Sequence, residues 1–242
     1  MAKGSRGGRR AGASISQSHT GVQVIGKDGG GTNRVYGQMD DTHAQSIIND
    51  NSDIYNDPDF RDAQKLYISA TDANGDGFSY SQNLNYKLDN GLPLDPTEKF
   101  INDNIQLGMR DIGKDVTLTR ACHDDILKQC GISDYTKLTE SQLQSKLVGV
   151  EFETSSYMST SYDASKNPFM TGANSGGREV YMNVKVGSGT KVVLGAKKQS
   201  EVVINKGTKF KITGIRYDGT YATPRGSSRA KERVVVDIET YN

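Results

Sequence analysis

At Val116 the chain changes its hydrophobic period, and this change constrains the fold more than any other feature of its 242 residues. Before it, apolar side chains recur at helical spacing: Phe60, Ala63, Leu66, Tyr67 and Ala70 in one run, Phe100, Ile101, Ile105 and Met109 in another. After it, Val, Ile, Thr and Tyr fill short runs between Gly-rich turns, the composition that suits a pleated, half-buried surface. Strands are expected at 116–120, 148–152, 179–186, 191–194, 201–204, 209–217 and 233–240. Helices first and strands second predict one α+β domain.

The helical half carries its own punctuation. Helices are expected at 43–50, 60–70 and 81–90, the last closing at Gly91. Asp95-Pro96-Thr97-Glu98 places an N-cap, a first-position proline and a capping glutamate in register, which predicts a helix running to about Met109. Thr139-Glu140-Ser141-Gln142 is a second capping box. A short helix is expected between them, closing at Gly131 and carrying both cysteines, Cys122 and Cys130, as reduced thiols. Two cysteines alone cannot build a four-ligand zinc site and the three histidines are scattered along the chain, so no metal is expected.

Residues 1–35 differ from the rest. They hold nine glycines, and Lys3, Arg6, Arg9, Arg10, Lys27 and Arg34 stand against Asp28 alone, although the whole chain is nearly neutral at +1. Such a segment cannot repay its ordering entropy by burial, so it is expected to be a flexible basic tail before a folded domain at 36–242. The tail is a candidate contact for nucleic acid or an acidic surface, with simple solvation the plainer expectation. No apolar run reaches the ~20 residues that span a bilayer. Met-Ala-Lys is followed by Gly, Ser and Arg rather than by the apolar core of a secretory signal.

Three short pieces in the strand-rich half carry chemistry. They are Arg120 at a strand end, Ser159-Thr160-Ser161, and Gln199-Ser200-Glu201 opening a strand, with 39 and 42 residues separating Arg120, Ser159 and Glu201. An arginine offers a permanently charged planar fork for phosphate oxygens. A fixed carboxylate stabilises positive charge that develops on a sugar ring, as in glycoside cleavage. In this order and on elements of this type, the pieces resemble the Arg–Ser–Glu class of mono-ADP-ribosyltransferases, which includes bacterial toxins and phage-encoded enzymes. The similarity runs from roughly Phe60 to Ile212 and leaves the N-terminal tail outside.

The resemblance implies helices packed on a split β-sandwich that holds NAD⁺, the substrate, in its cleft. It implies that Arg120 grips the pyrophosphate, that Ser159, Thr160 and Ser161 brace the cleft and the nicotinamide ribose, and that Ser159 orients Glu201. Glu201 would then meet the ribose 2′-hydroxyl and the oxocarbenium ion, and Gln199 the acceptor. A glutamine at that position resembles enzymes that modify asparagine or other non-arginine side chains. Phe169, ten residues after Ser159, is a candidate to stack on nicotinamide or to anchor its loop. Met170, Thr171 and Gly172 follow it where relatives offer an arginine, and Ala121 follows Arg120 where some members carry a second one. The implied setting is a phage virion or the cytoplasm of a bacterial host whose protein is the acceptor, with no membrane contact. Two other functions fit the same residues: a degenerate phage structural protein that contacts DNA through its tail, and an NAD⁺ glycohydrolase in which water replaces the acceptor.

Asp72-Ala73-Asn74-Gly75-Asp76-Gly77 imitates the first half of a calcium loop, but Ser79 and Asn83 stand at its eighth and twelfth positions. Without the closing glutamate it is expected to be a turn. Gly29-Gly30-Gly31 lacks the Lys-Ser/Thr that would make a phosphate loop.

Overall fold

The computed structural model describes residues 21–27, 34–69, 78–170, 177–224 and 227–241. Among the described residues, five α-helices make up the first half: α1 (Asp41–Asp50), α2 (Ser52–Tyr55), α3 (Pro58–Ile68), α4 (Tyr80–Asp89) and α5 (Pro96–Gly108). Each of the longer ones starts where a side chain takes an orphan backbone N–H: Asp40 for α1, Asp57 for α3, Ser79 for α4 and Asp95 for α5. The Asp95 box forms as its sequence predicts, with Glu98 N to Asp95 and Asp95 N to Glu98 both at 2.8 Å. Lys87 of α4 clamps the buried Glu98 at 2.5 Å, joining the two helices through that cap. Two helices punctuate the second half, α6 (Asp125–Gln129) and α7 (Glu140–Leu147), the latter opened by the Thr139–Gln142 box.

The strands are β1 (Val22–Lys27), β2 (Gly37–Gln38), β3 (Arg110–Asp111), β4 (Val116–Cys122), β5 (Val150–Thr154), β6 (Met158–Ser161), β7 (Val180–Val186), β8 (Lys191–Leu194), β9 (Glu201–Ile204), β10 (Lys209–Ala222) and β11 (Lys231–Thr240). Hydrogen bonds trace one path, β1-β5-β10-β11-β7-β4-β6-β9-β8-β3, with β2 beside β4. The path is nearly cut at its middle: β4 and β6 share one residue pair, Thr119 with Ser161, whereas β4–β7 and β6–β9 are fully laddered. Two half-sheets therefore meet at a narrow seam, the division expected of a split sandwich.

Side-chain alternation decides what each half-sheet buries. Val192, Leu194, Val202, Ile204 and Met158 join the main core with Leu118, Val184, Val236 and Phe210 of the other half-sheet. Their neighbours Val193, Val203 and Tyr157 face the opposite way and pack with Phe60, Tyr67, Leu84, Ile101 and Ile105 of the helices. The smaller half-sheet is thus a filling between the larger half-sheet and the helical layer. Its interior strand β9 is buried at every position.

Several expectations need correction. Val22–Lys27, placed by composition in the flexible tail, is a strand that pairs antiparallel with β5 from Val22–Thr154 to Lys27–Val150. Its anchors are distant in sequence: Gly21 N donates to Asp89 at 2.8 Å and Val22 N to Gln129 at 3.0 Å. Gly21 leaves room for this approach: a Cβ there would lie 2.4 Å from the Asp89 carboxylate and would push that side chain aside. The folded part therefore includes β1; residues 1–20 and the Gly29–Gly31 run lie outside the described residues. The cysteines share no helix, because Cys122 ends β4 and Cys130 caps α6. Arg120 lies inside its strand rather than at its end. Of the calcium-loop imitation, residues 72–77 lie outside the described residues, and Ser79 is the buried N-cap of α4.

A chain that begins at Asp28 should be measurably less stable than one that begins at Gly21. The lost pairing amounts to a few net hydrogen bonds, about 3 kcal/mol, which lowers Tm by roughly 6–12 °C in a domain of this size. Equal melting temperatures would show that β1 contributes nothing.

Candidate active site

The seam between the half-sheets is where the three motifs meet. β6 pairs with β9 so that Ser161 lies opposite Glu201 and Ser159 opposite Val203. Ser159, Ser161 and Glu201 therefore share the face that looks toward the helices, while Thr160 points the other way. The Thr160 hydroxyl donates to the Val202 carbonyl at 2.7 Å and ties β6 to β9. From the far side of the seam, Thr119 Oγ1 donates to the Ser161 carbonyl at 3.1 Å and Arg120 Nη1 to the Ser159 carbonyl at 2.5 Å. Arg120 is buried here, 4% exposed, which is rare for a guanidinium without a built site.

Glu201 is 6% exposed. Burial pushes its pKa above the ordinary carboxylate value, against the Ala196 amide, the Ser159 hydroxyl and the Arg120 charge, which pull it down. The Ala196 N–H donates to Glu201 Oε2 at 2.9 Å. On the helix side, the buried Tyr67 hydroxyl feels the same carboxylate, and burial together with that charge raises its pKa.

The turn before Glu201 is built differently from its sequence expectation. Gln199 does not share a strand with Glu201; it ends the 3-10 turn Lys197–Gln199, and Ser200 follows in the left-handed region at φ 49°. Ser200 is the one non-glycine with positive φ among the described residues, a conformation that costs an L-residue about 1 kcal/mol or more. The surroundings hold it there: Ser161 Oγ lies 2.8 Å from the Gln199 carbonyl, and Tyr162 N donates to the Ser200 carbonyl at 3.1 Å. The strained corner leaves Gln199 beside the cleft that Glu201 faces. All seven residues singled out by sequence, Arg120, Ser159, Thr160, Ser161, Phe169, Gln199 and Glu201, line this one cleft with Ala121, Asn167 and Pro168.

One further residue escaped the sequence reading. Arg178, just before β7, places its guanidinium carbon 4.8 Å from the centroid of the Phe169 ring. It is as buried as Arg120, and burial and the charge of Arg120 both lower its pKa. Phe169 itself is 8% exposed, so in this state it anchors its loop with one face against Arg178. The loop that lacks an arginine just after the aromatic thus has one supplied from beyond residues 171–176, which lie outside the described residues. The only signal in the sequence was a lone arginine just before an expected strand.

The sequence model of ADP-ribosyltransferase exoenzymes matches residues 80–242, two thirds of the chain. The chain belongs to the ADP-ribosyltransferase exoenzyme family. By class it is an NAD⁺-dependent ADP-ribosyltransferase. No curated protein matches it by sequence. Among solved structures it is similar to the C3 exoenzyme of Clostridium limosum, at 16% identity and TM-score 0.54 over 86% of this chain and 98% of that one. A C3 protein from S. aureus, solved with NAD, gives 15% identity and TM-score 0.55 over 86% and 100%. The enzymatic component of the C2 toxin from Clostridium botulinum gives 15% and 0.55, with 80% of this chain matched. This ADP-ribosyltransferase spans 47% of the length of that toxin component but nearly all of the two C3 proteins. At these identities the likeness is one of fold. Among the described residues, no helix is long and apolar enough to cross a membrane.

Proposed function

We propose that this ADP-ribosyltransferase cleaves NAD⁺ and transfers ADP-ribose to a protein side chain other than arginine. The observation that carries the reading is the pairing, in one cleft, of a buried carboxylate, Glu201, with a neutral amide, Gln199. The residues suit an NAD⁺ molecule. Arg120 and Arg178 supply two buried guanidiniums for the pyrophosphate. Ser159 and Ser161 edge the ribose subsite, and Phe169 offers an aromatic face beside it. Glu201 accepts the ribose 2′-hydroxyl hydrogen bond and stabilises the oxocarbenium ion as the C–N bond to nicotinamide breaks. Nicotinamide leaves with the bonding electrons, and the acceptor nucleophile closes on the same carbon and gives up its proton to solvent.

The acceptor reading rests on charge. A guanidinium acceptor wants a second carboxylate beside the reacting carbon. Gln199 offers instead a donor and an acceptor that match an amide or hydroxyl. Lys197 and Lys198, exposed on the same turn, add positive charge that opposes an arginine substrate. The sequence resemblance to phage-encoded members supports a bacterial host protein as the acceptor, reached from a virion or within the host cytoplasm. Agmatine, an arginine mimic, tests the specificity. The wild type should not ADP-ribosylate it, and Gln199→Glu should gain that activity. Efficient modification of agmatine by the wild type sinks the proposal.

A further inference from the structure

Outside the three motifs, Glu201 is held by a piece of backbone. The Ala196 N–H points at Glu201 Oε2, at 2.9 Å, and the turn closes on itself through Gly195 N to Glu201 O at 3.0 Å and Glu201 N to Ala196 O at 3.3 Å. The carboxylate rests directly on Gly195. A Cβ at that position would lie 2.2 Å from Oε2, 2.6 Å from the carboxyl carbon and 2.8 Å from Cγ, so no residue but glycine leaves room for it. Gly195 does not need a positive φ; the constraint is space.

The residue before this contact is tied to the helical layer on both of its polar atoms. Leu194 N donates to Tyr55 Oη at 3.0 Å, and the Leu194 carbonyl accepts from Gln64 Nε2. Tyr55 ends α2 and is itself packed edge-on against Phe60, with ring centroids 5.2 Å apart, and Gln64 lies in the middle of α3. An interior strand end normally satisfies these groups within the sheet. Here two helices fix the height at which β8 releases the chain into the turn.

We propose that Gly195 and the Ala196 amide form a carboxylate cradle for Glu201, and that Tyr55 and Gln64 set its register from the helical layer. These four are positioning residues; they act on the reaction through Glu201 alone. The inference rests on the reading of Glu201 as the carboxylate that stabilises the oxocarbenium ion. It assigns a task to the N-terminal helices beyond burial of the sheet.

The test is Gly195→Ala, assayed as nicotinamide release from NAD⁺ in the wild-type and Glu201→Gln backgrounds. A Cβ that moves the carboxylate by about 1 Å should lower kcat roughly a hundredfold and leave the KM for NAD⁺ near its wild-type value. In the Glu201→Gln background the same change should cost almost nothing, because the charge it misplaces is already gone. Gln64→Met, which keeps the volume and removes the tie to Leu194, should lower kcat in the same direction in wild type only. It carries the test should Gly195→Ala fail to fold. Wild-type kcat in both variants, or an equal loss in both backgrounds, overturns the cradle. A wild-type protein that releases no nicotinamide overturns the reading beneath it as well, so the two failures are distinct.

Discussion

Glu201→Gln should abolish most of the transfer, on the order of 10²-fold or more in rate, while NAD⁺ still binds. The amide keeps the shape and can still accept the Ala196 N–H bond. It lacks the negative charge that the oxocarbenium ion requires, and removing one preorganised electrostatic group costs several kcal/mol of barrier. The pH response follows from the same burial. Because the Glu201 pKa is raised, wild-type activity should begin to fall on the acid side while ordinary carboxylates are still ionised. Stability should move the other way. A raised folded-state pKa means that the ionised form is disfavoured by folding. The penalty is absent below the unfolded pKa and is reached as pH rises through the folded value. Glu201→Gln should therefore melt above wild type at neutral pH, with the gap closing toward pH 4. Single-turnover nicotinamide release and melting curves across pH measure both effects. Wild-type turnover in this variant would remove Glu201 from the chemistry.

Arg120→Lys should weaken NAD⁺ binding by about 10–100-fold, the scale of one lost hydrogen bond to a charged group. A buried lysine is a point charge where a fork stood, so it cannot keep the Ser159 carbonyl bond and also meet a phosphate with a planar, bidentate grip. Calorimetric titration with NAD⁺ measures the loss. Unchanged affinity would reduce Arg120 to a seam residue that joins β4 to β6.

What the sequence disclosed and what it withheld divide by range. Asp95, Glu98 and Thr139 work through neighbours three residues away, so their capping boxes were readable and formed as written. The strands β4, β7, β8 and β9 declared themselves by local composition, and Arg120 and Glu201 sat on two of them, whereas the Ser159–Ser161 strand β6 was not among those expected. β1 was hidden because its Val22–Lys27 run lies among glycines, and its stability comes from β5, Asp89 and Gln129, all far along the chain. The αL corner at Ser200 was equally hidden, since a serine advertises no positive φ; the hydrogen bonds from Ser161 and Tyr162 impose it. Gly195 looked like any turn glycine until the Glu201 carboxylate was found lying on it. The site was legible where residue type carries the chemistry. It was illegible where backbone from distant segments aims that chemistry.

The single residue pair between β4 and β6 has a mechanical consequence. A sheet resists shear through its ladder rungs, and here one rung, Thr119 with Ser161, bears what seven bear between β4 and β7. The seam has the fewest rungs on the path through the sheet, and the cleft lies along it. A dinucleotide gripped by Arg120 on one lip and by Ser159 and Glu201 on the other would act as extra rungs across that seam. Occupancy of the cleft would then be felt as slower amide exchange in strands that never touch the ligand.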